Sequence, residues 1–252
     1  MRRVPCLLFS LVWLGTTACG GDDGNQSAGN GNETSGASET TGETTDATSD
    51  ATDTDESETE TGEPSSCFDG MHAIVSDIDE TLTTADSEFL MQLIDSTHDP
   101  AERTEGSELI NDYHQRGYTI VYLTARSEGQ SSMDDAMVPA RQLTEEWLVA
   151  HGYPFDENTQ LFLAPGFVFG DEAAMYKGQT LLDLQAEGYT FEYAYGNAVS
   201  DIDGYEMANI PKDVTFIIGP EAGVDGTVAI PEEGWDVHRA AHIPTVADYC
   251  EG

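Results

Sequence analysis

Two carboxylates one residue apart, in Asp77-Ile78-Asp79-Glu80-Thr81, are the side chains whose type and spacing most directly suggest chemistry. Carboxylates that close repel unless a cation sits between them. Hard oxygen donors of this kind suit Mg²⁺, which takes a few carboxylates together with waters and phosphate oxygens. The bare D-x-D pattern is weak in so acidic a chain, since it recurs at Asp53 and Asp201. Context separates Asp77: the apolar run from His72 to Ser76 puts it at a strand end, with Ile78 turned inward and Thr81 one turn on. The plain alternative is a solvated acidic loop whose aspartates cap a helix.

Other polar residues fall at corresponding places. Thr124, Ala125, Arg126 and Ser127 follow a second apolar run, Gly196 and Asn197 follow another and lead to Asp201 and Asp203, and Lys177 stands near the start of a helix. Together they match what phosphoryl transfer needs: a nucleophile, charge neutralisation on the phosphoryl oxygens and a proton for the leaving group. Asp77 can attack and form an aspartyl phosphate. Asp79 can protonate the leaving oxygen and then activate water. Thr124 and the backbone N–H groups around it, such as that of Ala125, can hold a phosphate oxygen, with Lys177 and Mg²⁺ offsetting charge. Asp201 would complete a metal site with Asp77 and Asp79. Arg126 reads equally as a phosphate or head-group contact and as a surface ion pair; Asn197 as orienting a metal-bound water or capping a helix. Asp203 reads as a support behind the ligands or as solvated rather than as a ligand, the six histidines as structural and Trp147 as core.

The elements that must carry these residues are marked by glycines. Gly117, Gly152 and Gly188 each follow a helical pattern and precede a tyrosine and an apolar run, the signature of a helix ending on a left-handed glycine and then a strand. The apolar runs at 72–76, 119–123, 160–163, 191–195 and 214–218 predict a parallel sheet of about five strands in a three-layer α/β domain. In such a sheet the ligand crevice lies beyond the carboxyl ends of the strands. Residues 219–252, rich in Pro and Gly, are expected to wrap the surface back toward Cys67.

Charge and composition bound the rest. The chain has 252 residues and a net charge of −39. The region from Cys67 onward carries 35 of the 48 acids and 7 of the 9 bases, a net of −28. That excludes nucleic-acid binding through a basic surface and broad adhesion to anionic lipid. Residues 1–18 read as an export signal, with Arg2 and Arg3 before a largely apolar stretch too short to span a bilayer. Cys19 after Ala18 resembles a bacterial lipoprotein signal, although the same residues permit an ordinary secretory cut. Residues 19–66, led by Cys19, are an acidic Ser/Thr/Gly linker expected to be disordered, with a reach of about 35 to 40 Å. The expectation is an exported, membrane-anchored lipoprotein, periplasmic or on the cell surface, in which Cys67 and Cys250 pair and clasp the ends of one monomeric domain at 67–252.

The strand-end motifs resemble, in order, those of the haloacid dehalogenase (HAD) superfamily of phosphotransferases, and within it the lipin-type phosphatidate phosphatase domain. Asp77-Ile78-Asp79-Glu80-Thr81 is similar to that family's D-I-D-G-T, the segment from Val121 to Gln130 to its Y-L-S-A-R-x-x-G-Q, and Gly196 to Asp201 to its G-N-x-x-x-D. The likeness runs from about Ala73 to Pro211. It implies a Rossmann-like HAD fold, Asp77 as nucleophile, Asp79 as acid/base, Thr124 and Lys177 as phosphate ligands, and Mg²⁺ held by Asp77, Asp79 and Asp201; Thr81, Ala125 and Arg126 are further candidates for contacting the substrate. Glu80 stands where the family has Gly. The substrate implied is phosphatidate; the alternatives are a secreted acid phosphatase acting on nucleotides or small phosphate esters, and a phosphatidate-binding module without turnover.

Overall fold

The computed structural model describes Cys67, residues 72–230 and residues 234–250. Residues 1–66, with the expected export signal, Cys19 and the expected linker, lie outside the described residues. Six parallel strands form one sheet in the order β3-β2-β1-β4-β5-β6: β1 is His72–Ser76, β2 Thr119–Ser127, β3 Thr159–Ala164, β4 Thr190–Gly196, β5 Thr215–Ile218 and β6 Val228–Ile230. The sixth strand corrects the expectation of about five. It lies in the segment taken from its Pro and Gly content as surface wrapping, and its three residues are too short to show alternation.

The helices are α1 (Ser87–Ile94), α2 (Gly106–Gln115), α3 (Ala140–Ala150), α4 (Asp171–Glu187), α5 (Val199–Met207) and α6 (Asp236–His242). Side chains alternate across each strand, so β1 sends Ile74 to one face and Ala73 and Val75 to the other. On the Ile74 face the core is closed by Leu109, Ile110 and Tyr113 of α2 and by Trp147 and Leu148 of α3. On the opposite face Leu181 and Leu184 of α4 and Tyr205 of α5 pack against Val121, Leu123 and Ala194. This is the three-layer arrangement expected, with both faces of the sheet covered. The joint glycines adopt left-handed conformations, at φ 84° for Gly117, 76° for Gly152 and 114° for Gly188, where a side chain would be strained.

The strand order reverses at β1: the chain runs outward through β2 and β3, then returns to place β4 on the other side. A crevice opens at the carboxyl ends of β1 and β4. Close helix packing aims α4 and α5 at it. A Cβ on Gly178 would come within 2.8 Å of Met207, and one on Gly204 within 2.9 Å of the Lys177 Cβ. These two glycines allow α4 and α5 to approach until Lys177 and Asp201 touch. Cys67 and Cys250 form a disulfide, with Cα atoms 4.5 Å apart.

Candidate active site

Asp77 leaves the end of β1 with its N–H bonded to the Tyr195 carbonyl of β4 at 3.0 Å. The turn that follows folds back on itself: the N–H groups of Thr81, Leu82 and Thr83 all reach the Ile78 carbonyl. Thr81 is fully buried, and its hydroxyl lies 3.2 Å from both Asp77 Oδ2 and Asn197 Oδ1. Expected to contact substrate, it instead holds the Asp77 carboxylate, because the turn points its side chain back toward β4. Glu80 takes a left-handed φ of 55°, unusual for a side chain with a Cβ. Its carboxylate accepts a bond from Asn197 Nδ2 at 3.1 Å.

Lys177 is 2% exposed. Its ammonium donates to Asp77 Oδ1 at 2.8 Å and to Asp201 Oδ1 at 2.5 Å. The other oxygen of Asp201 accepts the N–H groups of Asn197 and Ala198, each at 3.0 Å. Gly196 is required here, since a Cβ would fall 2.5 Å from that of Asp201. Two carboxylates thus share one cation. Lys177 is held well above the usual ammonium range, its burial outweighed by Asp201 and Asp77. Asp77 is pushed up to about 7, chiefly by burial, then by Asp201 and Asp79 against the opposing pull of Lys177. A single ammonium therefore stays protonated between the two carboxylates, while burial makes Asp77 harder to ionise than an exposed carboxylate.

Arg126 is not a surface ion pair. Its guanidinium forks onto Asp79, Nε to Oδ2 at 2.9 Å and Nη2 to Oδ1 at 2.8 Å, while Nη1 donates to Thr144 at 2.9 Å. It lies 4.2 Å over the ring of Phe89 from α1. Thr124 Oγ1 donates to the same Asp79 carboxylate at 3.1 Å. Both residues expected at the substrate therefore hold Asp79 in this arrangement. The sequence reading missed Phe89 and Thr144; their periodicity marks core-facing helix positions and gives no sign of a polar partner.

These contacts also revise the expected three-carboxylate metal set. Among the described residues, no group of three His, Cys, Asp or Glu side chains is placed to hold a metal ion, and the Asp79 carboxylate is engaged by Arg126. Asp77 and Asp201 do converge on one cationic point. Mg²⁺ is usually held by one or two carboxylates, with waters and phosphate filling the remainder. Asp77 and Asp201, two hard-oxygen carboxylates brought to one point at the edge of the cleft, are the residues that would hold such an ion. Asp203 is exposed, which leaves the solvated one of its two readings.

Asp77, Asp79, Ala125, Arg126 and Asn197 open onto a cleft of about 460 Å³. Thr81, Thr124, Lys177 and Asp201 sit buried behind this lining. Two stretches of wall are apolar, Phe89, Leu90 and Leu93 on the α1 side and Phe167, Val168 and Phe169 in the loop between β3 and α4, while Glu80, Asp86 and Gln130 also line the cleft. Phe167 and Phe169 are 67% and 75% exposed at the mouth. No helix among the described residues is long and apolar enough to cross a membrane.

A family profile described as "PITM 1-3, LNS2 domain" matches residues 74–219, more than half of the chain. The chain belongs to this LNS2 family. The membership agrees with the lipin-type, HAD-like likeness of the strand-end motifs. The chain is 26% identical over 174 residues to the human (Homo sapiens) membrane-associated phosphatidylinositol transfer protein 3, covering 68% of itself but only 16% of that protein. Similar solved structures include a HAD-like phosphatase from Mesorhizobium loti, at 14% identity and TM-score 0.48 over 69% of this chain and 87% of that one. A class C acid phosphatase from Bacillus anthracis with tungstate bound gives 16% identity and TM-score 0.35 over 52% and 53%. An apo phosphoserine phosphatase gives 13% and 0.38 over 59% and 86%.

Proposed function

We propose that this LNS2 domain is a phosphomonoesterase that uses Asp77 as nucleophile and Mg²⁺ as cofactor, with phosphatidate as its leading substrate. The observation that carries the reading is Asp77 at the floor of a cleft, one carboxylate oxygen on Lys177 and the other on Thr81, with Asp79 two residues away on the same rim. An Asp77 oxygen attacks phosphorus as the ester P–O bond breaks, and the leaving oxygen takes a proton from the Asp79 carboxyl. To do so Asp79 turns out of the Arg126 fork, which leaves the guanidinium beside the transferring phosphoryl group. Water then attacks the aspartyl phosphate, its proton passes to Asp79, and inorganic phosphate leaves. When bound at Asp77 and Asp201, magnesium would neutralise phosphoryl charge that a domain of net −28 otherwise repels. The apolar walls support an ester with a hydrocarbon portion over a nucleotide. The N-terminal pattern supports export and a lipid anchor at Cys19.

A second reading, phosphatidate binding without turnover, is favoured by the two-pronged hold of Arg126 on Asp79. The name of the human relative, a phosphatidylinositol transfer protein, also fits it. The test is an assay of the purified chain with Mg²⁺ on an aryl phosphate, a nucleoside monophosphate and micellar phosphatidate. Phosphate release from phosphatidate that EDTA and Asp77→Asn both abolish is expected. Release from the nucleotide alone would replace the substrate; saturable phosphatidate binding with no release would establish the second reading.

A further inference from the structure

We propose that Trp235 is a positioning residue for the catalytic turn: its indole N–H clamps the Thr81 carbonyl, and through Thr81 it fixes the Asp77 carboxylate. This rests on the hydrolase reading and extends it to a segment outside the matched residues 74–219. Trp235 is fully buried, and Nε1 donates to Thr81 O at 3.0 Å. The same ring meets Tyr195 edge-on at 5.3 Å. Tyr195 supplies the carbonyl that receives the Asp77 N–H. One side chain therefore touches both supports of the nucleophile, the β4 end behind it and the turn ahead of it.

The turn needs such support. Glu80 holds a left-handed backbone that disfavours a residue with a side chain. Its carbonyl is gripped by Arg103 Nε at 2.9 Å, and the next carbonyl, that of Thr81, by Trp235. Two consecutive carbonyls are thus pinned from outside the turn. Trp235 is itself anchored: its N–H bonds the Thr104 carbonyl at 2.9 Å, and Gly234 lies so close to Thr104 that a Cβ would fall 2.7 Å from the Thr104 Cβ. Arg239, one turn along α6, reaches Asp112 at 2.6 Å and Glu105 at 3.0 Å. The C-terminal segment is a strap whose fixed point is the indole.

The test compares Trp235→Phe, which keeps an aromatic ring and removes the donor, with Val246→Ala, which weakens the far end of the same strap. Amide exchange at residues 79–83 and turnover are measured on the full chain. In Trp235→Phe, exchange at 79–83 rises about tenfold and kcat falls about tenfold with KM within twofold, while Val246→Ala changes neither. Equal effects of the two variants, or an unchanged turn in Trp235→Phe, would overturn the proposal. If the wild type releases no phosphate from any ester, the hydrolase reading fails, and the exchange comparison still decides the clamp. If Trp235→Phe does not fold, the indole N–H of the unaltered protein is followed by NMR: protection matching the Thr81 to Thr83 amides is expected, and exchange at the rate of a free indole refutes the clamp.

Discussion

Asp77→Asn should destroy activity and yet make the metal-free protein more stable. Asp77 is buried, and its carboxyl is raised from 3.8 to about 7. Because the folded value lies above the unfolded one, the folded state binds the extra proton. The stability that this proton provides is complete below about pH 4 and is lost as pH rises through 7. At about 1.4 kcal/mol per pH unit, the loss by pH 8 is on the order of 4 kcal/mol, an upper figure because the group is coupled to Lys177 and Asp201. Asparagine is neutral at every pH and nearly isosteric; its amide oxygen can accept from Lys177, which also keeps its bond to Asp201, while its NH2 donates to the Thr81 hydroxyl, which can turn its own proton to Asn197. For a domain of this size the variant should melt roughly 10 °C above wild type at pH 8 in EDTA, with the gap closing by pH 4. Thermal unfolding by circular dichroism across that range measures it. Added Mg²⁺ should narrow the gap at pH 8 by stabilising the wild type alone. A variant that melts at or below wild type at pH 8 would mean that Lys177 fully compensates Asp77 and that burial does not raise it.

Lys177→Met should act in the opposite sense, since it strips the shared cation from Asp77 and Asp201; a loss of about 3 to 5 kcal/mol by urea unfolding is expected, and a loss under 1 would show that the carboxylates protonate at little cost. Reduction of the Cys67–Cys250 disulfide, which closes 183 residues of sequence separation, should lower stability by about 5 kcal/mol in the loop-entropy treatment, read as a melting temperature lower by roughly 10 to 20 °C. His238 is held down to about 4 by burial and then by His242. With the folded value depressed below the ordinary 6.5, the stability it contributes is present above 6.5 and lost as pH falls toward 4. Asp77 acts in the opposite sense over that window, so the readout is the difference: the melting temperature of His238→Phe should gain on that of wild type as pH falls from 6.5 to 4.

The chemistry-bearing residues were legible because they sit at strand ends, and strand ends are local features. The runs before Asp77, Thr124 and Asn197 are apolar, and the glycines at 117, 152 and 188 mark each helix stop by a backbone conformation that only glycine adopts readily. Those signals are enough to specify a parallel α/β sheet, to put the crevice at its carboxyl edge and to single out Asp77, Asp79, Lys177 and Asp201. The end of β2 was less clear: Thr124 to Ser127 looked like a loop after the strand, yet they continue it, with a register shift against β3 between Thr124 and Ser127. Backbone pairing with a neighbouring strand decides that boundary.

What the tertiary structure alone decided is which opposite charges meet. Periodicity cannot say whether Arg126 faces phosphate, solvent or Asp79, since a guanidinium satisfies any of them. The approach of α1 and α3 settled it by closing Phe89 and Thr144 around it. Lys177 reaches Asp201 because Gly178 and Gly204 let two helices pack closely, a property of the pair that neither helix carries alone. The role of Trp235 was equally hidden: its partner Thr81 lies 154 residues earlier in the chain, and hydrogen bonds across that distance leave no mark on local sequence.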